Sequence, residues 1–111
     1  MRDSLGSMPP IPLSSETQRR LDALFLEPDR RAVSELLITQ CGDSLPLWHD
    51  KDPQGLERIR FAALKLSKGS LAELARAVEI AQVDWRDVLV AAGFGHDVHA
   101  HQAWFPGGHA A

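Results

Sequence analysis

The sequence is poor in the features that announce a function. Its 111 residues contain one cysteine, Cys41, so neither an internal disulfide nor a cysteine-rich zinc site can form, and a reducing cytoplasm fits best. Positive charge is not in excess: 12 Lys and Arg against 15 Asp and Glu give a formal charge of −3, and neither 1–55 nor 56–111 is a basic module. A chain whose work is holding nucleic acid needs the opposite balance on at least one face. No apolar run approaches the roughly 20 residues of a membrane span, and Met1 to Ser15 lacks the continuous apolar stretch of a signal peptide. There is no Gly-rich phosphate loop, nucleophile elbow or paired-carboxylate motif. Strand-like alternation and solenoid repeats are absent as well.

What remains is an ordinary globular composition, 44% apolar and 24% charged, in a chain long enough for one domain with its own core. Residues 1–13 carry Gly6, Ser7, Pro9, Pro10 and Pro12 and read as a flexible extended arm. Gly6-Ser7 directly before Met8 has the look of a cloning remnant covering 1–7, which would start the natural chain at Met8. A helical domain is expected over 14–104, followed by a fraying tail over 105–111.

The helices announce themselves by caps and by a period of 3.6. Ser14 or Ser15 starts the first, with Ser15 and Gln18 spaced as a capping box and Leu21, Leu24 and Phe25 as the apolar side. Pro28 interrupts it and opens a second, whose stripe is Val33, Leu36, Leu37 and Cys41, ended by a left-handed Gly42. From Asp43 to Pro53 no helical period survives, and Leu45, Leu47 and Trp48 are expected to pin this loop to the core.

A third helix, Pro53 to Lys68, carries Leu56, Ile59, Ala62, Ala63 and Leu66 on one side, with Phe61 and Leu64 outside that stripe. Apolar residues on more than one side mark a central helix. Gly69 stops it. Ser70 with Glu73 caps a fourth helix with Leu71, Leu74, Ala75, Val78 and Ala81. Asp84 caps a fifth, with Trp85, Val88, Leu89 and Ala92 inward and Gly93 as terminator, and a last turn is expected between Asp97 and Trp104. The fold class is therefore all-α, a compact orthogonal bundle of five to six short helices. Leu56, Ile59, Ala63, Leu74, Val78, Trp85 and Leu89 are its expected buried members.

The stretch ERIRFAALKLSKGSLAELARAVEIAQVDWRDVLVAAGFG, Glu57 to Gly95, resembles a family of short bacterial proteins with ERIRFA and DWRDLL-AAGF-like segments. The likeness extends more weakly to LFLEPDRRAV and CGDSLP. It implies a stand-alone helical domain and supplies no catalytic residue, because the family has no assigned activity.

Three constellations carry chemistry worth weighing. His96, His99 and His101 with Asp97 are the most metal-like group, yet their spacing matches no zinc motif, and His49 joins only if its loop folds back. Cys41 would need a nearby base to become a nucleophile, and it sits on an apolar stripe where a free cysteine acts as a small hydrophobe. Residues 70–92 can be laid on a helix-turn-helix, but Glu79 then occupies the turn, and Asp84 and Asp87 outweigh Arg86 on the recognition helix.

Arg58, Arg60, Lys65, Lys68 and Arg76 outnumber Glu57 and Glu73 locally. With Trp48 they form the candidate partner-docking residues. None of these patterns calls for a catalytic residue, a metal, a cofactor or a small-molecule ligand. The expected function is a small cytoplasmic interaction or regulatory module that presents a helical surface to a protein partner or to its own copy. The alternatives are a DNA-binding regulator built on residues 70–92, and a metal- or thiol-dependent enzyme.

Overall fold

Four of the five α-helices among the described residues begin after a side chain whose oxygen accepts from the first turn. The computed structural model describes residues 11–42, 44–46 and 52–108. Its elements are α1 (Ser15–Leu24), α2 (Asp29–Gln40), α3 (Pro53–Ser67), α4 (Leu71–Val83) and α5 (Trp85–Ala92), followed by 3-10 turns at Ala100–Ala103 and Pro106–Gly108. Among the described residues there is no strand.

Ser14 caps α1 by accepting from the Thr17 N–H at 3.1 Å, so the box lies one residue earlier than Ser15 and Gln18; Gln18 instead donates to Asp22. The Asp52 carboxylate accepts from Gln54 and Gly55 ahead of α3, Ser70 from Glu73 ahead of α4, and Asp84 from Arg86 ahead of α5. Each satisfies donors that a helix start leaves orphaned. Pro28 stands just outside α2 as its cap residue, without a side-chain bond.

The ends differ from expectation in two places. α2 closes on Cys41 with φ −129°, and Gly42 is not left-handed. Glycine is needed there for space, since a Cβ would lie 3.0 Å from the Ile38 carbonyl oxygen and 3.2 Å from Arg60 Nη2. α3 is ended by Lys68, which takes the left-handed conformation at φ 51° ahead of Gly69. At α5 the expectation holds: Gly93 is left-handed at φ 83°, and the Phe94 N–H closes back on Leu89 O at 2.8 Å.

α3 runs through the middle, packed against α1, α4, α5 and the Ala100–Ala103 turn, while α2 lies on α4 and α1. Its Leu56, Ile59, Phe61, Ala62, Ala63 and Leu64 are all buried, as a helix apolar on more than one side should be. Leu21, Val33, Leu37, Leu74, Val78, Val88 and Leu89 close around them, and Leu45 holds the loop after α2. Leu47 and Trp48 lie outside the described residues. Trp85, expected in the core, is half-buried at its edge. The radius of gyration is 13.5 Å, close to the about 13 Å of a compact 100-residue domain.

Both ends of the described segment pack onto this body. Ile11 and Leu13, expected in the arm, pack against the core. Phe105, expected in the tail, lies under the guanidinium groups of Arg19 and Arg20 at 5.1 and 5.0 Å.

Candidate functional site

The basic residues of α3 do not form a strip facing solvent. Arg60 is 2% exposed: its Nε donates to Cys41 O at 2.9 Å, and Nη1 and Nη2 donate to Pro12 O and Ile11 O at 2.8 Å each. Burial lowers its pKa, and among the described residues no carboxylate pairs with it. Arg58 and Lys65, seven residues apart on one face of α3, reach the far end of α5, where Arg58 donates to Phe94 O and Lys65 to Ala92 O. Lys65 Nζ also lies 4.9 Å from the Phe94 ring centre.

The same device recurs at α1, where Arg30 donates to Phe25 O and Asp22 O. None of α1, α2 and α5 has a basic residue in its own last turn. Each borrows one from elsewhere to satisfy its terminal carbonyls and oppose the negative end of its dipole. Of the six candidate docking residues, then, Arg58, Arg60 and Lys65 are structural donors. Lys68 and Arg76 are exposed, and Trp48 is outside the described residues. Arg76 has only a loose 3.9 Å ion pair with Glu73.

His101 is a second departure from the sequence reading. It is fully buried, edge-on to Phe61 at 5.2 Å and to Phe94 at 6.3 Å, and neither ring nitrogen has a hydrogen-bond partner among the described residues. Its Nε2 lies 3.6 Å from Glu57 Oε2, while Ser14 Oγ donates to Glu57 Oε1 at 2.6 Å. Burial lowers the imidazole pKa; the Glu57 carboxylate partly opposes this and Arg58 adds to it. Serine, carboxylate and histidine are brought together here, but with Glu57 in the middle the imidazole has no path to the serine proton. The arrangement ties the start of α1 and the C-terminal segment to α3 and does not make a nucleophile.

The metal-like group is dispersed. His99 Nδ1 pairs with Gln54 Nε2 at 2.9 Å, the His99 backbone N–H donates to Asp97 Oδ1 at 2.8 Å, and His101 is buried. Among the described residues no three His, Cys, Asp or Glu side chains converge as metal ligands, and His49 is not among them. Cys41 is fully buried and its thiol is pushed up to about 12 by desolvation, so it carries almost no thiolate at neutral pH. Glu79, where a helix-turn-helix would bend, lies inside α4, which continues to Val83 and meets α5 through Asp84 alone. Arg86 closes on Asp84 at 2.8 Å.

Free apolar surface collects on α4 and α5 instead. Ile80 is 39% exposed, Val83 76% and Val90 70%. Between the two helices runs a shallow groove lined by Leu66, Glu73, Arg76, Ala77, Ile80 and Ala91. Trp85, at the joint, has an enclosed Nε1 without an acceptor among the described residues. Sequence patterning placed Leu74, Val78, Ala81, Val88, Leu89 and Ala92 inward correctly, put the exposed Leu71 and Ala75 in the same stripe, and named Arg76 alone on the outer face, although the β-branched residues at 80, 83 and 90 were the further signal. Compared with known proteins, the chain matches no family model, no curated protein and no solved structure. Among the described residues no helix is long and apolar enough to cross a membrane.

Proposed function

We propose that this chain is a protein-docking module whose binding surface is the outer face of α4 together with α5. The observation that carries the reading is the exposure of Ile80, Val83 and Val90 on two helices joined by one residue and fixed by caps at both ends. Single exposed apolar residues are ordinary, whereas several on two adjoining capped helices, one of them (Ile80) lining a groove, favour an interaction site. The exposed Arg76 lies at the edge of that groove and supplies a polar rim. Lys68 remains a candidate member at the start of the same region. The acidic balance of the chain supports a protein partner over nucleic acid. A single free thiol, buried and unpaired, suits a reducing cytoplasm.

The experiment compares two baits, the wild type and the Val83→Glu, Val90→Glu double variant, in capture from a cell extract followed by mass spectrometry. Both positions are exposed, so the double variant should melt within a few degrees of the wild type while losing a bound protein that the wild type retains. Equal capture by the two baits would place any partner elsewhere on the molecule.

A further inference from the structure

We infer that the outer face of α4 binds a second copy of this chain, with the two α4 helices antiparallel across a two-fold axis. The inference rests on the docking reading and names its occupant. The outermost seam of α4 is Ala72, Arg76, Glu79 and Val83, all exposed, on the side opposite the buried Leu74, Ala77, Val78 and Ala81. Their spacing of four, three and four reads the same from either end, which is the condition for a helix face to meet its own image. In the antiparallel arrangement centred between Ala77 and Val78, Ala72 of one copy faces Val83 of the other, small against large. Arg76 faces Glu79, opposite in charge, and every contact occurs twice.

The parallel arrangement sets Arg76 against Arg76 and Glu79 against Glu79, so charge alone selects the antiparallel one. Among the described residues the Arg76 charge is only loosely engaged: its side chain is 69% exposed and its Glu73 contact is at 3.9 Å. Ala75, beside the seam, is small and exposed and lets the backbones approach. Ile80, on the other flank, borders the groove toward α5. A seam of about 17 Å, eleven residue steps at 1.5 Å each, is only about three helical turns long, too short a contact to bury the roughly 1,200 Å² of a stable complex. The dimer is accordingly reversible and is to be sought at high protein concentration.

Sedimentation equilibrium from micromolar to millimolar protein tests this with four samples: wild type, Arg76→Glu, Glu79→Arg, and an equal mixture of the two variants. The wild type should pass from monomer to dimer. Each single reversal creates two like-charge contacts per dimer and should weaken association by about tenfold or more. In the mixture, the Arg76→Glu chain offers two acidic groups to the two basic groups of the Glu79→Arg chain. Association should therefore return to within about threefold of wild type. Circular dichroism and melting temperature verify that both variants fold.

A wild type that stays monomeric throughout overturns the inference, and the capture experiment with Val83 and Val90 then decides the docking reading separately. A wild-type dimer that the single reversals leave unchanged, or that the mixture does not restore, overturns the antiparallel seam.

Discussion

Replacing Arg60 by methionine asks whether a buried charge can be held in place by the backbone alone. The guanidinium is 2% exposed and makes three bonds, to the carbonyls of Cys41, Pro12 and Ile11. Charge-assisted bonds of this kind contribute about 1.5–3 kcal/mol each. Against them stands the cost of taking the guanidinium out of water, several kcal/mol, whose imprint is its lowered pKa. Methionine keeps much of the length, removes the desolvation cost, and leaves the carbonyl of the fully buried Cys41 without this donor, while the exposed Pro12 can turn to water.

The balance predicts a net loss of about 2–4 kcal/mol for Arg60→Met, together with release of residues 11–14, which Arg60 ties to α3. Urea unfolding followed by tryptophan fluorescence measures the first, and the rate of limited proteolysis at residues 11–14 measures the second. Arg60→Lys keeps the charge and loses the planar fork, so it should be no more stable than Arg60→Met. A methionine variant as stable as wild type, with residues 11–14 still protected, would refute the reasoning.

Ile59 is 1% exposed in the centre of α3, and Ile59→Ala should cost about 2–5 kcal/mol; an effect below about 1 kcal/mol in urea would mean that α3 is not the central helix. His101 should make the protein acid-sensitive: its pKa is lowered from 6.5 in the folded state, so on acidification the unfolded chain binds the proton first. Stability should fall as pH drops through the ordinary histidine range and level off below the folded value. His101→Phe, placed between Phe61 and Phe94, should flatten that part of a pH series of melting temperatures, and an unchanged slope would show that the ring is not held neutral. Cys41 should resist a thiol reagent in native protein and react at once in denaturant, because its pKa stands at about 12 behind full burial. Rapid native labelling would contradict that.

Element identity was legible because caps and periodicity are local. Ser70 ahead of Glu73, Asp84 ahead of α5 and Gly93 after it each act on neighbours within a few residues, and much of the inward stripes followed from spacing, although Leu71 and Ala75, expected inward on α4, are exposed and Ala77, outside that stripe, is buried. Arg60 was illegible as an interior residue for the opposite reason. Its partners are 19 to 49 positions away in sequence and are backbone carbonyls, which leave no side-chain signature. The one hint was the apolar surround of a helix that buries several sides. His101 was read with its histidine neighbours as part of a metal-like group, because nothing local shows that Phe61 and Phe94 enclose it. Of the outer face of α4 only Arg76 was singled out, for its charge; its apolar members were passed over because attention to the inward stripe treats the remaining residues as solvent-facing by default.

The backbone-seeking arginines and lysine make this molecule's tolerance of mutation one-sided. In a salt bridge either partner can be lost by substitution, but Arg20 donates to Trp104 O, Arg58 to Phe94 O and Lys65 to Ala92 O, and a carbonyl oxygen survives every replacement of the residue that bears it. Drift at the acceptor positions is limited by what their own side chains pack against, while each donor position is held to the few long basic residues that can reach. A library of single substitutions scored for folding should therefore show narrow donor columns at Arg20, Arg58, Arg60 and Lys65 facing a permissive column at the exposed acceptor Pro12.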